Sequence, residues 1–154
     1  MIFSLDLPDE AATEALAAAF ARRARRGDVI ALQGGLGAGK TCFARAFIRA
    51  LAGACEEVPS PTFTLLQIYE IPDGPAVWHF DLYRLKTAEE AFELGLEEGM
   101  SEGICLIEWP DRLGSLAPRG HLELRLEPGA SEAARRARIQ APPSWVPRLQ
   151  GLFA

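Results

Sequence analysis

Four glycines stand among the six residues of the stretch GGLGAG, directly before a lysine and a threonine. Gly34, Gly39, Lys40 and Thr41 satisfy the pattern GxxxxGK[ST], in which small residues let successive backbone N–H groups curl around a phosphate. The lysine would add a positive charge at the outer phosphates of a nucleotide, and the threonine hydroxyl would bind magnesium. This spacing therefore predicts a loop that binds the phosphates of a nucleoside triphosphate.

The segments on either side of the glycines distinguish a phosphate loop from an ordinary turn. DVIALQ is a short apolar run between turn signals, which is typical of a buried strand. KTCFARAFIRALAG repeats apolar residues at helical spacing and stops at Gly53. A strand before the loop and a helix after it favour phosphate binding, because the helix N-terminus directs its positive dipole end at the anion. A glycine-rich turn that binds nothing is the alternative.

Two acidic residues follow apolar strands and could bind the metal ion that accompanies a nucleotide. Asp81 ends the run AVWHFD, and Glu108 ends the run ICLIE. Ligands of parallel α/β sheets bind at the carboxyl ends of the strands, so both side chains could face the loop. Glu108 is the better candidate, because an acid after an unbroken buried run is typical of a ligand or a paired charge. The alternatives are a surface strand end for Glu108 and a turn cap for Asp81.

The remaining segments predict one α/β domain over residues 1–154. LPDEAATEALAAAFARRARRG predicts a helix capped by Asp9 and closed by Gly27. TFTLLQIYEIPDGPAVWHFDLYRL predicts two strands joined in a hairpin at PDGP, and TAEEAFELGLEEG predicts a helix capped by Thr87. HLELRLEP and RRARIQA predict strands that could pair, and SWVPRLQGLFA predicts one final helical turn.

Composition narrows the class of protein. The chain has 154 residues, 49% of them hydrophobic, which suits one domain with a substantial core. No apolar run reaches the roughly 18 residues that span a bilayer, and the N-terminus lacks a secretory signal, so a cytoplasmic protein is expected. Three cysteines without CxxC spacing argue against a disulfide framework or a zinc site, and His79 and His121 are assigned no site. A formal net charge of −5 argues against tight unaided binding to nucleic acid.

The sequence also favours one nucleotide base. Proteins that read guanine through an [NT]KxD motif need an asparagine or threonine before the lysine, yet this chain has no asparagine and Lys86 lies in LKTA. The DxxG segment that accompanies that motif is also missing, because LYR follows Asp81. Adenine, held by apolar packing and backbone contacts, is therefore the expected base.

Four blocks, GLGAGKT, SPTFTL, HFDLYRL and CLIEWP, occur in an order and at spacings that resemble the TsaE (YjeE) family, over roughly residues 8–140. The resemblance implies a P-loop NTPase-like three-layer domain with a mostly parallel central sheet and some antiparallel strands. It implies an ATPase that uses ATP and Mg²⁺ and acts with the proteins TsaB and TsaD. That machinery forms threonylcarbamoyladenosine beside the anticodon of tRNAs reading codons that begin with A, and this chain would meet tRNA through the complex.

The resemblance also implies roles for individual residues. Lys40, Asp81 and Glu108 would be catalytic, with Asp81 acting at the metal or on the attacking water. Thr41, Glu108 and Asp81 would hold magnesium. The family usually has aspartate where Gly35 stands and a second threonine where Cys42 stands, so the loop lacks an acid and a hydroxyl but keeps the Cys42 N–H. The residues implied in nucleotide binding are Glu10, Thr13, Gly35, Leu36, Gly37, Ala38, Gly39, Lys40, Thr41 and Cys42.

Three further features of the sequence have open interpretations. SPTFTL carries the hydroxyls of Ser60, Thr62 and Thr64 between restrictive prolines, so it is either a switch that senses the γ-phosphate or a rigid strand entry. The run from Arg22 to Arg26 is more typical of the solvated end of a helix than of an RNA patch. Trp109 and Pro110 either wall the site or belong to the core.

Three classes of function remain open at this point. The first is the ATPase subunit of a tRNA-modifying assembly, and the second is a small-molecule kinase, which would need an acceptor pocket and an arginine-rich lid. The third is a noncatalytic module in which ATP orders a surface for a partner. Arg84 is the only arginine close to a candidate catalytic acid, so slow hydrolysis by the isolated protein is expected.

Overall fold

A computed structural model describes residues 1–60 and 64–153 of the chain. Within these residues seven strands form one sheet in the order β1-β7-β6-β2-β5-β4-β3. In chain order the elements are β1 (Ile2–Leu7), α1 (Glu10–Arg23), β2 (Val29–Gln33), α2 (Lys40–Ala52), β3 (Leu66–Tyr69), β4 (Val77–Asp81), α3 (Glu89–Glu93), α4 (Leu96–Glu102), β5 (Ile104–Glu108), a 3₁₀ helix (Pro110–Leu116), β6 (Leu122–Pro128), β7 (Arg135–Gln140) and α5 (Val146–Phe153).

The four central strands, β6, β2, β5 and β4, run parallel to one another. β3 pairs antiparallel with β4 at one edge, and β7 and β1 add antiparallel pairs at the other edge. The predicted mixed sheet with a parallel centre is therefore confirmed. Its register pairs Leu32 with Glu108 and Glu108 with Asp81, so the carboxyl ends of β2, β5 and β4 lie side by side.

Helices cover both faces of the sheet and complete the three layers. Ile30 and Leu32 of β2 pack with Phe43 of α2 in one core, which also receives α1 and α5. Val29 faces the second core, where it meets Leu96 of α4. Each large apolar side chain buried in this way contributes about 1.5–3 kcal/mol to folding. Apolar packing thus covers both faces of the sheet whose strand ends form the site.

Helix α1 begins as its sequence predicts and ends earlier than predicted. The Asp9 side chain accepts a hydrogen bond from the Ala12 N–H at 2.9 Å, which confirms the predicted cap. The helix stops at Arg23 because Ala24 is extended and the next N–H, of Arg25, donates to the Asp28 carboxylate at 2.6 Å. The prediction that Gly27 closes the helix is therefore wrong, since Gly27 lies in the following turn with φ at 91°.

The predicted hairpin is present, whereas the predicted helix after it is divided. β3 and β4 pair antiparallel around PDGP, from Tyr69 opposite Val77 to Leu66 opposite Phe80. The segment TAEEAFELGLEEG forms two helices, α3 and α4. They are separated at Gly95, because its φ of 100° interrupts a right-handed helix. Thr87 does not cap α3; the side chain of Glu90 instead accepts from the Thr87 N–H at 3.0 Å.

The two ends of the chain form more structure than their sequences predict. Residues 2–7 form β1, which pairs with β7 although no strand is predicted there. The predicted pairing of HLELRLEP with RRARIQA is confirmed by β6 and β7. The final segment forms the eight-residue helix α5 rather than a single turn. Among the described residues no helix is both long and apolar enough to span a bilayer.

Candidate nucleotide-binding site

The glycine-rich loop connects β2 to α2, as its sequence predicts. Gly39 occupies the N-cap of α2 with a left-handed backbone, φ 104°, that glycine adopts without strain. Gly34 needs to be glycine for a different reason, because a Cβ there would lie 2.7 Å from the Leu126 carbonyl oxygen. The first N–H groups of α2 have no partner within the helix, so they are available to an anion at this end. The loop has the backbone that phosphate binding requires.

Lys40 extends into the loop and is 5% exposed. Its Nζ donates to the Gly34 carbonyl oxygen at 2.5 Å and to the Gly35 carbonyl oxygen at 3.4 Å. The same ammonium lies 3.3 Å from the centre of the Trp109 ring, which is close enough for a cation–π interaction. Burial lowers the pKa of Lys40, and the charges of Glu108, Asp81 and Asp111 oppose that shift. The lysine therefore places a positive charge between the loop and the strand ends.

Thr41 and Glu108 contact one another at the start of α2. The Thr41 hydroxyl donates to the two Glu108 carboxylate oxygens at 3.0 and 3.3 Å. Glu108 is 2% exposed, and its neighbour in the register, Asp81, is 4% exposed. The sheet thus brings both predicted acids to the loop, with Asp81 also accepting from the Tyr83 N–H at 3.1 Å. A hydroxyl and two carboxylates are the hard oxygen ligands that Mg²⁺ prefers, so this donor set fits the ion.

His79 is a member of the site that the sequence interpretation missed. Its Nε2 lies 2.7 Å from a Glu108 carboxylate oxygen, and His79 is 0% exposed. The other ring nitrogen, Nδ1, is buried and has no hydrogen-bond partner among the described residues. The alternation of VWHFD carries the signal that could have revealed this contact, because it places His79 on the same sheet face as Asp81.

A cleft of about 450 Å³ lies over the loop and the strand ends. Trp109 forms one wall, with φ at 59° and its ring centre 4.9 Å from that of Tyr83. Arg84 and Ser60 also face the cleft, whereas Pro110 is buried at the start of the 3₁₀ helix. The residues that line the cleft are Leu36, Gly37, Ala38, Gly39, Lys40, Thr41, Cys42, Ser60, Asp81, Tyr83, Arg84, Glu108 and Trp109.

Three candidate residues, Glu10, Thr13 and Gly35, do not line this cleft. Gly35 borders a neighbouring groove, and Thr13 is 3% exposed inside α1. Glu10 is exposed and accepts from the Cys42 thiol across the α1–α2 groove, at 3.7 Å. Burial, together with the charges of Glu10 and Glu14, raises the pKa of Cys42 to about 11, so the thiol stays protonated at neutral pH.

Ser60 and the arginine run belong to segments that have two interpretations on sequence alone. Ser60 reaches the cleft, and Thr62 of SPTFTL lies outside the described residues. In the arginine run at the end of α1, Arg23 donates to the Arg148 carbonyl oxygen at 3.0 Å and Arg26 donates to that of Glu102 at 2.7 Å. The run therefore begins in the last turn of α1 and continues past the end of the helix at Arg23.

The parallel strand ends, the glycine loop and the helix that follows it define an α/β domain of the P-loop NTPase-like class. Within that class the chain belongs to the TsaE family. The family model described as "Threonylcarbamoyl adenosine biosynthesis protein TsaE" matches residues 7–137, which is most of the chain.

Individual relatives agree with the family model. The tRNA threonylcarbamoyladenosine biosynthesis protein TsaE of Rickettsia bellii is 42% identical over 121 residues, which cover 79% of this chain and 83% of that protein. The protein of the same name from Bacillus subtilis is 40% identical over 119 residues, which cover 76% of this chain and 71% of that protein. The crystal structure of Bacillus subtilis YdiB matches with a TM-score of 0.78 and 28% identity, covering 99% of this chain and 94% of that one. The resemblance carried by the four sequence blocks is therefore confirmed.

Proposed function

We propose that this protein is a cytoplasmic, Mg²⁺-dependent ATPase required for forming threonylcarbamoyladenosine in tRNA, in cooperation with TsaB and TsaD. The observation that carries the proposal is the convergence of Lys40, Thr41, Asp81 and Glu108 on one cleft beside the glycine loop. These four residues come from three separate elements, and each has the chemistry that phosphoryl transfer requires at its position. Membership of the TsaE family connects this chemistry with tRNA modification.

Phosphate binding would use the loop and the start of α2. The N–H groups at the helix start and the Lys40 ammonium all offer hydrogen bonds or positive charge to an anion at this end of the cleft. To reach a phosphate, Lys40 would exchange its contacts with the Gly34 and Gly35 carbonyl oxygens for charge-assisted contacts. This exchange favours binding because a phosphate oxygen is a stronger acceptor than a neutral carbonyl oxygen.

Metal binding would use Thr41 and Glu108, with Asp81 at the metal or on the attacking water. When bound, Mg²⁺ neutralises the charge that develops on the phosphate oxygens. Glu108 is already held by two donors, the Thr41 hydroxyl and His79 Nε2, so its carboxylate is oriented in advance. Hydrolysis would then form a bond from the water oxygen to the γ-phosphorus, break the bond from that phosphorus to the ADP oxygen, and pass the proton of the water to an acceptor, for which the Asp81 carboxylate is the proposed group.

We expect His79 to control how well Glu108 supports magnesium. His79→Leu removes one of the two donors to a buried carboxylate, so the magnesium concentration needed for half-maximal hydrolysis should rise about tenfold, since hydrogen bonds to charged groups contribute roughly 1.5–3 kcal/mol. His79→Gln is the matched variant, because its amide N–H can reach the same carboxylate and should retain most of the affinity. A magnesium titration of ATP hydrolysis measures both variants. Identical titrations for the leucine variant and the parent would contradict this role.

The isolated protein is expected to hydrolyse ATP slowly. Efficient P-loop hydrolysis commonly requires an arginine at the developing charge, worth roughly a thousandfold or more in rate, and a residue that orients the water. Arg84 is an arginine that lines the cleft, and its side chain is exposed. Docking onto TsaB and TsaD would complete the site, which also explains how a chain with a net charge of −5 acts on tRNA without binding it tightly.

The proposal is tested by steady-state ATP turnover, measured for the protein alone and after addition of TsaB, TsaD and substrate tRNA. We expect slow turnover alone and a clear increase in the reconstituted complex. Turnover on the order of ten per second without partners, the ordinary range of enzymes, would instead favour a self-sufficient kinase or hydrolase. Nucleotide binding without turnover in any mixture would favour the noncatalytic module.

A further inference from the structure

Arg135, the first residue of β7, lies against the outer side of the phosphate loop. Its Nε donates to the Ala38 carbonyl oxygen and its Nη2 donates to the Gly37 carbonyl oxygen, both at 3.0 Å. Its Nη1 donates to the carbonyl oxygens of Glu132 and Ala134, at 2.7 and 2.8 Å. One side chain thus joins the phosphate loop to the connection between β6 and β7, although the two segments are far apart in the chain.

The chemistry of arginine suits this contact. The guanidinium is planar and permanently protonated, and it holds its five N–H donors in a fixed arrangement. All four acceptors of Arg135 named above are backbone carbonyl oxygens, and two of them belong to the loop. The side chain therefore orients backbone rather than neutralising an acid.

Orienting these carbonyl groups also orients the amides of the loop. A trans peptide directs its C=O and its N–H to opposite sides. Because Arg135 binds the Ala38 carbonyl oxygen, the N–H of the same peptide, which belongs to Gly39, points away from the guanidinium. The preceding peptide is held at both ends, since the Ala38 N–H donates to the Gly35 carbonyl oxygen at 3.2 Å. Gly37, Ala38 and Gly39 all line the cleft.

The segment that supports Arg135 is itself tightly packed. The Gly129 N–H donates to the Ala134 carbonyl oxygen at 3.0 Å, and a Cβ on Gly129 would lie 2.8 Å from Ala134. Further along the same hairpin, the Leu126 carbonyl oxygen lies directly against Gly34. The β6–β7 hairpin thus packs against the loop, and Arg135 joins the hairpin to the loop by hydrogen bonds.

We propose that Arg135 is a positioning residue that holds the phosphate loop in its anion-binding arrangement before nucleotide arrives. The inference rests on the proposed function, since it assigns the hairpin a role at the same nucleotide site. A loop that is already ordered loses less conformational entropy when it binds a ligand. Removing the Arg135 side chain is therefore expected to weaken nucleotide binding, although Arg135 does not itself line the cleft.

The test uses three variants of the full chain: Arg135→Ala, Arg135→Lys and the control Arg49→Ala. Lysine keeps the positive charge but cannot bridge two loop carbonyl oxygens and the hairpin together. Arg49 is a matched control, because its Nε also donates to a backbone carbonyl oxygen, that of Glu56 at 3.0 Å, away from the loop. Amide hydrogen exchange of the loop is measured without nucleotide, and ADP affinity is measured by calorimetry with Mg²⁺.

Both Arg135 variants should exchange the loop amides faster than the parent, and both should bind ADP about tenfold more weakly, whereas Arg49→Ala matches the parent in both measurements. Unchanged loop exchange in both Arg135 variants would overturn the inference. Parental ADP affinity in Arg135→Lys would also overturn it, because charge alone would then suffice. A parent protein that binds neither ADP nor ATP would refute the proposed function, and the exchange measurement would still decide whether Arg135 orders the loop.

Discussion

Replacing Lys40 with alanine is expected to abolish ATP turnover and to weaken ATP binding severely while the fold is retained. The ammonium contacts loop carbonyl groups and the Trp109 ring, and Lys40 belongs to neither apolar core, so its loss is expected to leave both cores intact. In the proposed function the same ammonium acts on the outer phosphates, where a charge-assisted contact at the transition state is worth several kcal/mol. The expected loss of turnover is therefore a hundredfold or more, as an order-of-magnitude estimate from such contacts.

Calorimetric titration with ATP and a steady-state hydrolysis assay measure this effect, and thermal unfolding checks the fold. Lys86→Ala is the matched control, because Lys86 is the other lysine of the chain and its side chain is exposed. It should behave as the parent in all three measurements. Lys40→Met separates charge from packing, since methionine keeps an unbranched apolar chain against Trp109. ATP affinity and turnover that survive in Lys40→Ala would show that the loop does not bind phosphate in the proposed manner.

Glu108→Gln is expected to slow ATP hydrolysis by more than tenfold and to weaken its dependence on magnesium. The substitution keeps the size of the side chain and an oxygen that can accept from Thr41 and His79, so it removes the charge with little change in packing. A buried carboxylate that binds the metal would serve the transition state, and such contacts are typically worth several kcal/mol, more than the roughly 1.4 kcal/mol that a tenfold change in rate requires. The structural consequence should be small and the kinetic consequence large.

Asp81→Asn provides the comparison within the site. It should also slow turnover, with a smaller effect on ATP binding, if Asp81 acts on the attacking water or at the metal. Glu102→Gln serves as the control outside the site, since Glu102 is an exposed acid whose nearest cation is Arg26 at 3.9 Å. Hydrolysis rates at several magnesium concentrations distinguish the three variants. Parental rates in both Glu108→Gln and Asp81→Asn would remove the argument that the strand ends form the metal site.

The strongest signals of this sequence are local. The spacing of Gly34, Gly39, Lys40 and Thr41, the apolar run before Glu108 and the cap at Asp9 each lie within a few residues of the chain. Such signals predict the loop, the buried strands and the first two helices, and the structure contains all of them. Local signals also led to the wrong predictions that Gly27 closes α1 and that Thr87 caps α3. In the structure, hydrogen bonds to the Asp28 and Glu90 carboxylates determine the backbone at these two places.

By itself, the sequence determined the phosphate-loop pattern, its placement between strand and helix, the two candidate acids and the resemblance to the TsaE family. Only the tertiary structure determined the strand order, the pairing of β1 with β7, the contact of His79 with Glu108 and the contact of Arg135 with the loop. The physical reason is that strand order and register depend on packing between segments distant in the chain, and no local pattern encodes them. A register shift of one residue would turn His79 to the opposite face of the sheet and remove its contact with Glu108.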